Sequence, residues 1–316
     1  MKTEEKLIKI PVIGWVVQLL QRLKVPGLEG LSIYNVLEMY GLGIVRGALT
    51  SRAGGIAFSF FMALFPFALF VLTLIPYIDI EGFQEGFMQF INQALPPQTF
   101  EAVDSVLRDI INNKYSGLLS FGFILSIFLM TNGVNALFGG FEYSYHQLQT
   151  RSILRQFFVS MIISIMLAVI LLISVAIIIY FQLLIKNFKE SGYVSNELFW
   201  IQTGQYAIFL IAIFVVVSLF FYFGTKESRQ IRFFSPGAIL TTILIIINFK
   251  LFSIYVKKFS QYNELYGSIG TLLVLMLFIW LNSIILLLGF ELNATIIGLK
   301  RKLAGRNGKQ ISKIKN

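Results

Sequence analysis

Between Arg52 and Asp79 the chain runs for 26 residues without a charge, AGGIAFSFFMALFPFALFVLTLIPYI being apolar, aromatic or small. Wound as a helix at 1.5 Å per residue, such a run reaches about 39 Å, more than the ~30 Å of a bilayer's hydrocarbon core. A soluble domain has no place for this segment, so the chain must be organised by lipid. Within it, Gly55, Ser59 and Ala63 recur every four residues and offer a flat stripe for close helix contact. Pro66 then interrupts the backbone ladder near mid-membrane and favours a kink. Composition agrees with lipid burial: 56% hydrophobic residues against 13% charged, with a mean hydropathy of +0.76.

Five more apolar runs follow. The spans read as 53–78, 118–141, 157–185, 200–223, 236–256 and 269–297, a transmembrane domain over 52–298. The fifth begins with Pro236, favoured in a first helical turn. Residues 1–51 form an arm without the apolar core and small-residue exit of a cleavable leader. In that arm Ile8–Leu23 reads as interfacial, and Val36–Leu49 as an amphipathic helix lying along the membrane. Residues 79–116 are polar and acidic, with two helical periodicities, Phe83–Leu95 and Pro97–Asn112, parted by Pro96-Pro97. They predict a helical hairpin capping the outer face. Residues 299–316 are a basic tail. The fold expected is all-α: a polytopic bundle of six transmembrane helices with an arm and an extracytoplasmic cap.

The charges set an orientation. Lys and Arg number 19 in the segments on the side of the two termini and 6 in those on the opposite side. By the positive-inside rule both termini are cytoplasmic. The net charge of +10 is then topological and faces lipid headgroups, so no nucleic-acid partner is expected.

Several stretches resemble one family. Arg52 followed by small residues, the aromatic run broken at Phe65-Pro66, Tyr266-Gly267-Ser268 before the last span, and Gly289-Phe290-Glu291-Leu292-Asn293-Ala294 near its end look like the YihY/BrkB inner-membrane family. The resemblance runs from about Leu37 to Ile297. It implies a role in envelope integrity or export, although the family has often carried the label ribonuclease BN. Gly-Phe-Glu also occurs at Gly140-Phe141-Glu142, as the second span closes, which suggests a parallel quasi-repeat of outer helix pairs.

The chemistry available is narrow. There is no Cys and a single His, His146, so thiolate sites and a histidine-based metal centre are excluded, and no phosphate-binding loop marks an ATPase. No catalytic residue, metal site or cofactor is expected. The polar residues inside the spans carry the functional reading instead. In the second span Asn132, Asn135, Gly139 and Glu142 share one face. In the sixth, Asn282, Gly289 and Asn293 share a face, with Glu291 opposite, so this helix is expected to be the central one. Glu291, about 10 Å deep, has Arg52 and Arg46 within its layer, with Glu142 beside them; an ion pair and a protonatable gating carboxylate are both open readings. Lys250 lies ~20 Å from the inner surface, near Asn248, and either snorkels or lines a wet path. The function expected is transport or flipping of a lipid or other amphiphilic anionic molecule. The alternative is a non-transporting scaffold for envelope proteins. Membrane lipids are the expected partners, with a homo-oligomer as a further possibility.

Overall fold

The computed structural model describes residues 18–22, 32–46, 48–78, 82–94, 97–144, 151–190, 197–226, 233–259 and 263–314. Nine helices of ten or more residues stand among them. An amphipathic α1 (Ile33–Arg46) leads into α2 (Leu49–Leu74), which ends in a short 3-10 turn. The hairpin α3 (Phe83–Ala94) and α4 (Pro97–Asn112) follows, then α5 (Ser116–Glu142), α6 (Ile153–Glu190) and α7 (Glu197–Gly224). The chain closes with α8 (Pro236–Phe259) and the 52-residue α9 (Asn263–Ile314). Six of these, α2 and α5 to α9, are long and apolar enough to cross a membrane.

These six form a ring in chain order: α2 touches α5, each later helix touches the next, and α9 returns to α2. One end of the ring, the cap end, carries α3 and α4; the other, the terminal end, carries α1 and the last turns of α9. Lipid tails are as apolar as leucine, so no hydrophobic drive brings spans together, and close fit must do it. The fit is concentrated towards the terminal end, where Ala53, Ile56, Val134, Phe138, Phe141, Phe221, Leu287 and Phe290 are buried. The cap has its own core: Phe83, Phe87, Leu107 and Ile111 close over Ile75 at the end of α2 and Ile179 of α6.

One expectation about α2 needs correction. Of the Gly55–Ser59–Ala63 stripe only Ala63 is buried; Ala53, Ile56 and Ala57 are the other buried positions in this part of α2, and Ile56 meets α5 at Gly140. Gly55 is exposed, with open space where a Cβ would point, and the Ser59 hydroxyl returns to the Gly55 carbonyl at 3.0 Å. Close approach is supplied from the other side, where Gly122 and Gly133 of α5 lie against the backbones of Phe70 and Phe60. The α-helix runs unbroken through Pro66. At the other end of the chain, α9 does not stop near Ile297 but continues as helix through the basic tail to Ile314. The interfacial Ile8–Leu23 segment, apart from residues 18–22, and His146 lie outside the described residues.

Candidate functional site

The terminal end of the ring gathers the charged groups of the membrane domain. Ala48, in the left-handed conformation at φ 46°, turns the chain from α1 into α2, and Arg52 follows one turn later. Its side chain is only 9% exposed. Nη1 donates to the Gly140 carbonyl at 2.7 Å, and Nη2 stands 3.9 Å from Oε2 of Glu291, which is itself fully enclosed. Gly140 sits in the last turn of α5, where carbonyls have no intrahelical partner, so Arg52 satisfies an orphan acceptor at the negative end of a helix dipole. A side chain at position 140 would push into Ile56 at 2.8 Å, so glycine there permits the approach. Tyr40 of α1 donates to the Leu288 carbonyl at 3.1 Å, pinning the arm to α9. Burial, and secondarily the nearby Glu291 carboxylate, push the Tyr40 hydroxyl up to about 12.

A second arginine repeats the device. Arg151, just before α6, donates from Nη1 to the Phe223 carbonyl at 2.6 Å and from Nη2 to the Thr225 carbonyl at 2.9 Å. It thereby closes the C-terminal end of α7. Glu142 accepts the Arg151 backbone N–H at 3.4 Å. Glu142 therefore belongs with Arg151 rather than with Arg52, and the expected single charge layer is two clamps. The side chain of Arg46 lies outside the described residues.

Between the clamps the two Gly-Phe-Glu tripeptides meet. Phe141 and Phe290 stack with ring centroids 4.0 Å apart and 9° between planes, and Phe221 of α7 meets both edge-on. Gly224 leaves room for Phe141. This aromatic plug fills the middle of the ring.

The α8–α9 seam is a close helix contact. A Cβ on Gly289 would overlap the Thr241 hydroxyl, and one on Gly237 would overlap the Gly289 carbonyl. Asn293 of α9 reaches across: its Oδ1 accepts the Gly237 N–H at 2.9 Å and its Nδ2 donates to Ser235 Oγ at 2.9 Å. The first turn of α8 is thus capped by a side chain from another helix. Asn248 and Asn282 continue the same two facing stripes, each seven residues nearer the cap than Thr241 and Gly289. There the seam is incompletely bonded: Nδ2 of Asn248 and Oδ1 of Asn282 are enclosed without a hydrogen-bond partner among the described residues, while Nδ2 of Asn282 donates to the Phe278 carbonyl at 2.8 Å.

Two other expected residues lie elsewhere. Lys250 is exposed and shares its stripe with the exposed Ile239, Ile243, Ile247 and Ile254, on the side of α8 turned away from Thr241 and Ile245. Its depth suited a path; its direction places it on the lipid-facing perimeter, which corrects the path-lining expectation. Asn132 and Asn135 likewise turn away from the aromatic plug. Arg151, Ser235 and Tyr40 were missed by sequence reasoning, because their partners are backbone carbonyls or a distant asparagine.

Two pockets stand apart from these groups. One, of about 240 Å³, lies in the groove between α3 and α4, with Gln84, Gln89, Asn92 and Arg108 around it. The other, about 90 Å³, is apolar and lies among α2, α5 and α6. Among the described residues no three His, Asp or Glu side chains gather in a way that could hold a metal ion.

Residues 43–310 match the family described as virulence factor BrkB. A protein of Bacillus subtilis named ribonuclease-like protein YfkH is 30% identical over 270 residues, covering 81% of this chain and 93% of that one. UPF0761 membrane proteins of Aggregatibacter aphrophilus and Haemophilus influenzae are each 22% identical, covering 79% and 84% of this chain and 88% and 96% of theirs. No solved structure matches.

Proposed function

The chain belongs to the virulence factor BrkB family, and on that premise we propose that it moves lipids, or other amphiphilic anionic molecules, across the bacterial cytoplasmic membrane for envelope maintenance. The reading places both termini in the cytoplasm, on the strength of the 19-to-6 distribution of Lys and Arg. The cap then faces outward.

Uneven packing carries the proposal. Towards the terminal end every helix of the ring contributes buried residues. Towards the cap, α2, α5 and α6 stay packed through Phe70, Val71, Ser126 and Ala168. Over the same depth α7 from 198 to 216, α8 from 246 to 256 and α9 from 272 to 282 contain no buried residue. A span packed in a closed bundle has at least one covered stripe. There the three helices touch through half-buried or exposed side chains, Phe209 against Phe249 and Phe278 against Phe249 and Phe252, a looser contact that can part into a cleft towards the outer leaflet, shut below by the aromatic plug and the Arg52 clamp. Asn248 and Asn282, each with one enclosed polar atom unengaged, sit at the α8–α9 contact of that half and are freed as it parts. Lys250, on the perimeter about 9 Å below the outer end of its span, is placed to meet an anionic headgroup of that leaflet. Movement through the cleft requires the closed end to open in turn, so the Arg52–Glu291 pair is the contact to be broken and remade.

This reading is non-enzymatic. The ribonuclease wording in one relative's name finds no cluster of acids or histidines among the described residues on which such chemistry would rest.

Because the chain has no cysteine, the cleft is directly testable. With the full chain in vesicles, Asn248→Cys and Asn282→Cys should react with a membrane-impermeant thiol reagent added outside, while Ile243→Cys should not. A fluorescent anionic lipid should cross these vesicles faster than protein-free ones. Unreactive cysteines at both asparagines, with lipid movement at the protein-free rate, would instead leave a closed scaffold.

A further inference from the structure

Two carboxamides of α5 face the hydrocarbon. Phe141 points at Phe221 and Phe290 and so marks the interior side of this helix. Nine residues earlier, at 100° per residue, Asn132 lies on the opposite side. It is exposed, as are Phe128, Ile124 and Phe121 at successive turns towards the cap. Asn135, half-buried, and Gly139, with open space at its Cβ position, continue the stripe the other way. Ten residues separate Asn132 from Glu142, which puts it about 15 Å into the bilayer, near the mid-plane. Neither carboxamide has a hydrogen-bond partner among the described residues. Amides left unbonded in hydrocarbon are costly, so this face requires a cover.

The chemistry selects the cover. At mid-plane depth a lipid presents only its tails, so headgroups cannot satisfy these amides. The arm, with Lys2, Lys6 and Lys9, is too charged to lie there. The stripe carries no charge that would call for an oppositely charged partner. Each carboxamide is both donor and acceptor, so it is complementary to itself, which is what a two-fold axis demands. One to two turns below Asn132, Gly139 lets a facing backbone come close.

We propose that this face of α5 is the surface through which two copies of the chain pair within the membrane, Asn132 and Asn135 of each copy bonding the carboxamides of the other. Phe121 and Phe128 then pack across the axis in the outer half. The proposal is independent of the transport reading, since a scaffold would pair in the same way.

The full chain, labelled at a single Asn307→Cys with donor or acceptor dye, would be reconstituted in vesicles and diluted with lipid. Energy transfer above the random-collision level should persist on dilution. In Asn132→Leu/Asn135→Leu, whose leucines suit a lipid-facing surface, the pairing constant should fall tenfold or more. Its thermal unfolding should be no easier than in the parent chain. On oxidation Gly139→Cys should give disulfide-linked pairs and Ile243→Cys should not. Monomers at every dilution, unchanged pairing in the double leucine variant, or a variant whose monomer is itself destabilised would each overturn the proposal.

Discussion

Removing the carboxylate at position 291 should be among the most damaging single changes in the membrane domain, and more damaging than removing its arginine partner. In Glu291→Gln the shape is kept and the charge is lost, leaving the Arg52 guanidinium enclosed. Its Nε and Nη2 donate no hydrogen bond, so only the Gly140 carbonyl remains to compensate it. At the observed separation of 3.9 Å and an effective dielectric of about 20, the lost attraction is about 4 kcal/mol. That agrees with the roughly 3–5 kcal/mol that accompanies the breaking of a buried pair. A guanidinium cannot shed its proton to escape the cost, so the deficit should be the same at pH 5 and pH 8. Arg52→Met removes the cation instead and leaves Glu291 its other contacts, so its deficit should be smaller. The double change Arg52→Met/Glu291→Met should be milder than the sum of the single ones. Unfolding by SDS titration in mixed micelles at the two pH values would measure all three. Glu291→Gln within 1 kcal/mol of the parent chain, or a double variant no milder than the sum of the single ones, would refute a buried pair as the closure of the terminal end.

Gly289→Ala should destabilise by about 1–3 kcal/mol, because the added methyl overlaps Thr241, whereas Gly55→Ala should be neutral or stabilising by up to about 1 kcal/mol; thermal unfolding in detergent compares them. Single cysteines at Gln98 and Asn263 should label from outside intact cells and those at Gln149 and Asn307 only after permeabilisation; external labelling at Asn307 would reverse the orientation.

Long uncharged runs specify length and environment, which is why the six spans and the cap hairpin were legible before any coordinates. The Arg52–Glu291 pair was also within reach, since two opposite charges at one depth of a bilayer have few other partners. Direction around a helix was harder. The periodicity of Asn132, Asn135 and Gly139 put them on one face without saying which way that face looks, and the same is true of Lys250 on α8. A stripe of small residues was ambiguous for a similar reason: Ala53 and Ala57 offer α2 a second small face beside Gly55 and Ser59, and that second face is the buried one. Arg151 left no trace in the pattern, because backbone carbonyls are acceptors everywhere and only the ends of helices leave them unused.

The length of α9 has a mechanical consequence. Its 52 residues form a rod of about 78 Å, gripped over a short stretch where Gly289 meets α8, Glu291 faces Arg52 and Leu288 receives Tyr40. About 42 Å of the rod lies on the cap side of Glu291 and about 35 Å on the other, so the grip is close to a mid-point fulcrum. A tilt of about 5° about it displaces the cap-side end by roughly 4 Å and the basic end by roughly 3 Å in the opposite sense. Any movement of α9 against its neighbours at the cap end is thereby signalled, without any change of fold, to the surface where the tail emerges.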